Sequence, residues 1–298
     1  MLNYLCLIVK PNSNLLTNNL INLCKKFIVN YDNIILQENW LEKNECYEIL
    51  FNTNELEKTK FLLKSKMPEF IDLIFIKNKN RTKKLLIADM DSTIIKEETL
   101  DEIARSIGIY DKISNITNLA MQGKIDFAVA LKERVKYLKG INLSKLRYIL
   151  ENNITINDGA ETLVKTMKKN KCKVALVSGG FSFFANEIGK MLGFDYVISN
   201  RLQINNNVLT GKLIDPIIDE ESKKNALIEL SKKNNIDLEK TIAVGDGAND
   251  LSMIKKAGYG VGFKARDRVQ KSADANINNG DLTSLLFIQG YQKTNFKN

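Results

Sequence analysis

Leu85-Leu86-Ile87-Ala88-Asp89-Met90-Asp91-Ser92-Thr93 is the stretch on which the reading of the fold turns. Its unbroken apolar opening suits a short strand covered on both faces, which a parallel sheet needs and a half-wet antiparallel strand does not. Asp89 and Asp91 follow two positions apart, so on extended chain both carboxylates project to one side at the strand's end. Similar apolar runs return at 174–177 and 241–244. Between them lie helical segments: 158–169 with Leu163, Val164 and Met167, and 181–192 with Phe184, Ile188 and Leu192. Strands alternating with helices predict an α/β core with a doubly wound parallel sheet over 84–290.

The interval 97–155 breaks the alternation, because its apolar residues recur only at helical spacing. Leu100, Ile103, Ala104 and Ile107 form a stripe, and Thr99 and Glu102 have capping-box spacing, so this interval is read as a helical cap inserted over the sheet. The run 202–213, with Asn205-Asn206-Asn207 in its middle, is expected to be a hairpin, and the polar tail after Gly290 is expected to be loose.

Residues 1–80 follow a different plan. Leu5, Leu7 and Val9 alternate, and Leu16, Leu20, Leu23, Cys24 and Phe27 recur helically. Ile34, Leu36 and Trp40 fall on one side of an extended run, as do Tyr47, Ile49 and Phe51 of the next, and 73–76 is a last apolar strand. The order predicts an independent ferredoxin-like α+β domain with one sheet face under two helices, joined to the core by a basic linker at 77–84.

Composition bounds the chemistry. A chain of 298 residues, 44% apolar and 27% charged, is long enough to bury a core without disulfides. It contains no histidine, which removes Ser-His-Asp triads, Cys-His dyads and His-ligated metals. Cys6, Cys24, Cys46 and Cys172 form no Cys-x-x-Cys pair and read as reduced thiols of a cytoplasmic protein. The net charge of +9 would admit a nucleic-acid partner, but residues 1–83 carry 12 basic against 9 acidic side chains and no basic block, so none is expected. The apolar stretch 5–9 is too short for a signal peptide, and no membrane association is expected.

Three strand ends carry candidate chemistry. Asp89 and Asp91 would stand at the C-terminal edge, where open α/β sheets bind ligands, although a solvated turn also accommodates Asp-x-Asp. Ser178-Gly179-Gly180 precedes a helix, which suits an anion cradle or merely a glycine turn. Gly245-Asp246-Gly247-Ala248-Asn249-Asp250 again delivers acids at a strand exit, or makes an Asx-rich turn. Together they supply acid, anion cradle and acid, the set required for magnesium-assisted attack on phosphorus, and oxygen donors suit Mg²⁺ better than zinc.

These motifs, in this order and with a helical insertion after the first, resemble the haloacid dehalogenase-like phosphatases over 84–290, and within them the phosphoserine phosphatase family. The likeness extends to Ala120-Met121-Gln122-Gly123-Lys124 in the cap. It implies that Asp89 is a nucleophile forming an aspartyl phosphate, while Asp91 protonates the leaving oxygen and then activates water. It implies Mg²⁺ held by Asp89, the Asp91 carbonyl and Asp246, supported by Asp250 and Asn249. Ser178, the Gly179 N–H and Lys223 would bind the phosphoryl group; the ordinary reading of the adjacent Lys223 and Lys224 is an exposed helix face. Arg134 would meet a serine carboxylate and Glu98 its ammonium, with Met121 and Phe127 shielding the site; each could equally be surface charge or cap core. Phe127 and Arg134 are seven residues apart, hence on nearly one helix face and about 10 Å apart.

The resemblance implies O-phosphoserine as the small-molecule substrate. Phosphoryl transfer to homoserine, hydrolysis of another small phosphomonoester, and a non-enzymatic amino-acid sensor are the alternative readings. The 1–80 segment also resembles an ACT-like module, but its first turn, Lys10-Pro11-Asn12-Ser13-Asn14, lacks the glycine usual at such a ligand site. A structural or homodimerising role is therefore expected there.

Overall fold

A computed structural model describes residues 1–30, 33–77, 79–121 and 124–297, and the elements given below are those of the described residues. The strands are β1 (Leu2–Ile8), β2 (Ile34–Glu42), β3 (Cys46–Asn52), β4 (Asp72–Lys77), β5 (Leu85–Ala88), β6 (Lys173–Phe181), β7 (Tyr196–Asn205), β8 (Val208–Ile214), β9 (Thr241–Gly245), β10 (Gly260–Phe263) and β11 (Ala275–Ile277). They form a sheet of order β2-β3-β1-β4, paired antiparallel, and a larger sheet of order β11-β10-β9-β5-β6-β7-β8. The larger sheet is parallel except for β8. β5 lies at its centre with all its side chains buried, as the apolar run requires. Separate apolar clusters cover its two faces, one containing Leu86 and Val244 and the other Leu85, Ile87 and Ala243.

The insertion folds as helices Thr99–Ser106, Tyr110–Met121, Phe127–Lys136 and Leu143–Asn152. An isolated antiparallel bridge between Ile95 and Ile156 closes its neck. On its far side the cap meets the β7–β8 hairpin: Gly140 N donates to Leu209 O (2.9 Å), Leu209 N to Ile141 O (2.8 Å) and Leu143 N to Asn207 O (2.9 Å). The hairpin turns through Asn206 and Asn207, both at positive φ (49° and 62°), a conformation asparagine tolerates better than most residues.

Several expectations are corrected. The capping box does not form: the Thr99 amide donates to Asp91 Oδ1 (2.8 Å), and Glu102 bonds Arg105 and Asn153. Ile34 and Leu36 are 61% and 55% exposed, because a register shift between Ile35 and Gln37 reverses the phase of this edge strand and turns Ile35 inward. The first sheet is buried on both faces. Leu5, Leu7 and Val9 face its helices, whereas Cys6, Ile8, Cys46, Ile74 and Ile76 join the core of the larger sheet beside Phe287. The 77–84 linker is pinned rather than free: Arg81 pairs with Glu48 and donates to Ile288 O (2.8 Å), and Lys83 Nζ donates to Glu239 O (2.8 Å). Asp72 accepts bonds from the amides of Asn278, Asn279 and Gly280 across the same seam. The tail is also held, with Lys293 on Glu45 and Phe296 packed on Phe287. In the first turn Asn12 and Asn14 adopt positive φ where the glycine is missing.

Candidate active site

β5 ends at Ala88, Asp89 follows, and the chain then makes one wide turn closed by Ile95 N on Met90 O (3.0 Å). This turn directs Asp89 and Asp91 into a cavity of 710 Å³ between sheet edge and cap. Ser92 sits within it at φ 55° and donates to Glu98 Oε1 (2.8 Å), which ties the turn to the acid at the start of the cap. The adjacent strands contribute the rest, since β6 delivers Ser178-Gly179-Gly180 and β9 delivers Asp246.

Lys223 is fully buried and reaches Asp89 Oδ1 at 2.6 Å and Asp250 Oδ1 at 2.7 Å. Lys224, by contrast, pairs with Glu221 on the helix surface. The other Asp250 oxygen accepts the amides of Asp246 (3.2 Å) and Gly247 (3.1 Å), so this carboxylate is committed to holding the turn after β9. Thr93 donates to Asp246 Oδ1 (3.2 Å). Oxygens of Asp89, Asp246 and Asp250 all lie within 4.8 Å of one another. An all-oxygen, acidic and buried cluster fits Mg²⁺. With Asp250 already bonded on both oxygens, Asp89 and Asp246 are the side chains left to ligate, while Asp250 holds them.

The electrostatics match this crowding. Burial, and then the charge of Asp250, raise Asp89 well above the usual carboxylate range despite Lys223, and the same causes raise Asp246 to about 7. Burial also raises Asp91, partly offset by the Thr99 amide and by the Ser178 hydroxyl, which donates to Asp91 Oδ2 (3.2 Å). Asp91 thus keeps a proton more readily than a solvated aspartate. Burial overrides neither ion pair of Lys223, whose pKa is raised by Asp250 and Asp89. Glu98 lines the cavity, and desolvation by its walls and the neighbouring Asp91 lift it to about 7 despite the Ser92 hydroxyl.

Glycine is required beside these groups. A Cβ on Gly180 would stand 2.5 Å from Asp91 Oδ2, and one on Gly245 would stand 2.4 Å from the Asp250 carboxyl. Gly179 is less constrained: a Cβ there would stand in ordinary contact with Asn249 and the Phe127 ring, at 3.4 and 3.5 Å. Phe127 and Arg134 both face the cavity from one cap helix, as their spacing predicts. Asp89, Asp91, Glu98, Gly179, Asp246 and Asn249 line the same cavity, whereas Ser178, Lys223 and Asp250 stand buried behind its wall. Met121 ends the helix Tyr110–Met121; its side chain, like Gln122 and Gly123, lies outside the described residues.

Two residues that sequence reasoning did not single out support this arrangement. Asn200, 1% exposed, donates to Gly179 O (2.8 Å) and Ile218 O (3.3 Å) and accepts from Ile218 N (2.8 Å). It thereby ties the glycine segment to the chain entering the Lys223 helix, Glu220–Lys233. Thr93 does the equivalent for Asp246. Polar residues at a strand exit are the available signal, but an asparagine or threonine there is as often a turn residue.

An α/β sheet edge that gathers paired carboxylates, a buried lysine and an oxygen cluster beneath an inserted cap has the parts of a hydrolase acting on phosphorus. The chain belongs to the haloacid dehalogenase-like hydrolases, whose family profile matches residues 83–258. It is 42% identical over 209 residues to a phosphoserine phosphatase of Archaeoglobus fulgidus; the match covers 70% of this chain and 60% of that protein's length. It is 41% identical over 206 residues to the phosphoserine phosphatase of Methanocaldococcus jannaschii, covering 69% of this chain and 97% of that one. A crystal structure of a haloacid dehalogenase family hydrolase from Salmonella enterica serovar Typhi superposes with a TM-score of 0.83 at 31% identity, over 96% of this chain and 98% of that one. The N-terminal sheet is therefore within the likeness.

Proposed function

We propose that the protein hydrolyses O-phospho-L-serine to L-serine and phosphate, the last step of serine biosynthesis, through an aspartyl phosphate on Asp89. The observation that carries this reading is one cavity lined by Asp89 and Asp91 on the sheet side and by Glu98, Phe127 and Arg134 on the cap side. A phosphate, an ammonium and a carboxylate each find an opposite charge or a donor there, and the relatives named above act on this substrate. The Asp89 carboxylate attacks phosphorus; the bond to the serine oxygen breaks, and Asp91 delivers its proton to that oxygen. Asp91, now ionised, takes a proton from water, the resulting hydroxide attacks the phosphoryl group, and phosphate leaves as Asp89 is regenerated. Lys223 favours the ionised form of Asp89 from behind, against burial and the neighbouring acids, while Ser178 and the Gly179 amide hold phosphoryl oxygens in this reading. Asp89, the Asp91 carbonyl and Asp246 would hold Mg²⁺, with Asp250 and Asn249 in support. Bound there, the ion neutralises the phosphoryl oxygens approached by an anionic nucleophile.

Arg134 supplies a guanidinium to the carboxylate and Glu98 an acceptor to the ammonium, with Phe127 screening the bond from water. The four cysteines, all buried and unpaired, fit the reducing cytoplasm. Among the described residues no helix is long and apolar enough to cross a membrane. Phosphate release across a panel of small phosphomonoesters, including both phosphoserine enantiomers, tests the reading. L-phosphoserine should lead, EDTA should stop turnover and added Mg²⁺ restore it. Indifference to EDTA, or equal rates across the panel, would overturn it.

A further inference from the structure

The Arg134 guanidinium is held by neighbours that the substrate does not supply. Its Nε donates to Ala130 O (3.3 Å), one turn back on its own helix, and its Nη1 donates to Thr117 Oγ1 (3.2 Å) on the preceding cap helix. The single proton of the Thr117 hydroxyl is already committed to Ile113 O (3.0 Å). With that donor fixed, the oxygen's lone pairs remain for the guanidinium, so Thr117 acts as an acceptor only. Thr117 and Arg134 both line the cavity. Glu98 and Asp101 act on Arg134 through their charge, but among the described residues Arg134 makes no hydrogen bond to either acid and none through Nη2. The bonded atoms therefore fix the plane of the guanidinium and leave Nη2 for a ligand.

We infer that Thr117 is a positioning residue that sets the ligand-facing edge of Arg134, and with it the preference for phosphomonoesters bearing an α-carboxylate over those lacking one. This rests on the substrate reading above and deepens it. Planar two-point recognition of a carboxylate needs the guanidinium aimed before binding; a long side chain left to its rotamers loses that freedom on binding instead. Among the described residues the Glu98 carboxylate is held by the Ser92 hydroxyl alone, so the carboxylate end is the more rigidly prepared half of the subsite.

Steady-state kinetics at saturating Mg²⁺ on the parent, Thr117→Val, Thr117→Ser and Arg134→Ala test it, with O-phosphoserine and with O-phosphoethanolamine, which keeps the phosphate and ammonium but lacks the carboxylate. Thr117→Val should raise KM for phosphoserine about tenfold, the size of one lost hydrogen bond to a charged group, with kcat and the phosphoethanolamine parameters held within about twofold. Thr117→Ser, which keeps the hydroxyl, should restore the parent KM. Equal losses on both substrates, no loss on either, or a serine variant as impaired as valine would overturn the role of Thr117. If Arg134→Ala abolishes discrimination while Thr117→Val retains it, Thr117 alone is rejected and the substrate reading stands. A parent enzyme that does not prefer phosphoserine rejects that reading itself. Thr117→Ala removes the same oxygen with less bulk, and must agree with valine for the assignment to hold.

Discussion

Replacing Lys223 by methionine removes the cation from between two carboxylates that have almost no access to water: the side chains of Asp89 and Asp250 are 6% and 0% exposed. At separations of 2.6 and 2.7 Å and an effective dielectric constant near 20, each attraction is worth roughly 6 kcal/mol before desolvation is subtracted. Most of that offsets the cost of burying three charges, so the net loss follows from the carboxylates left behind, about 3–5 kcal/mol. Urea unfolding followed by circular dichroism should show a loss of this size at pH 7.5. Without the lysine Asp89 holds its proton to still higher pH. The penalty is full above that raised pKa and shrinks as the pH falls from it toward the solvated value near 3.8, so the loss should be smaller at pH 5 than at pH 7.5. Adding Asp250→Asn should recover part of it at pH 7.5. Turnover should fall by roughly 10²–10³, as for loss of one preorganised donor. An unfolding curve unchanged within about 0.5 kcal/mol at both pH values, with activity kept, would refute the placement of Lys223.

Asp89→Asn should abolish phosphate release while leaving circular dichroism unchanged; turnover near the parent level would remove Asp89 from the nucleophile's role. Arg134→Ala should weaken phosphoserine relative to esters lacking a carboxylate by about 2–5 kcal/mol in kcat/KM, and equal loss on both would reject Arg134 as the specificity residue. Metal-free protein should lose stability as pH rises, because Asp246 ionises near 3.8 when solvated but at about 7 when folded, on the order of 4 kcal/mol at 1.36 kcal/mol per pH unit. That stability is fully present below pH 3.8 and lost as pH approaches and passes 7. Thermal melts between pH 5 and 8 should show the decline and millimolar Mg²⁺ should reverse it; a flat profile, or one that Mg²⁺ does not move, contradicts the acidic cradle.

The parallel sheet and the residues at its strand ends were legible because they rest on local signals. Four buried residues in a row place β5, and the acid or glycine that follows falls at the sheet's edge whichever helices surround it. The hairpin was legible from asparagines that tolerate positive φ. What escaped depends on partners distant in sequence. The Thr99 amide would serve a capping box in an isolated helix, but the Asp91 carboxylate competes for it successfully. The inward phase of β2 depends on a bulge that alternation alone does not reveal. Asn200 acquires its meaning only when Gly179 and Ile218 stand on either side of it. The second apolar face of β1 was visible as Cys6 and Ile8 between Leu5, Leu7 and Val9, the continuous run of a strand covered twice, yet short alternation was the simpler reading.

That doubly covered strand bears on how such proteins can be cut and recombined. Severing the chain near residue 80 would bare a greasy patch on each fragment, Cys6, Ile8, Ile74 and Ile76 on one and Leu285, Phe287 and Ile288 on the other, and would strand Arg81 and Glu48 without each other. The N-terminal portion is therefore not a detachable bead on a string. A grafted or shortened version would need its seam repainted with polar residues before it stayed monodisperse, and the unmodified halves should melt together as one cooperative body.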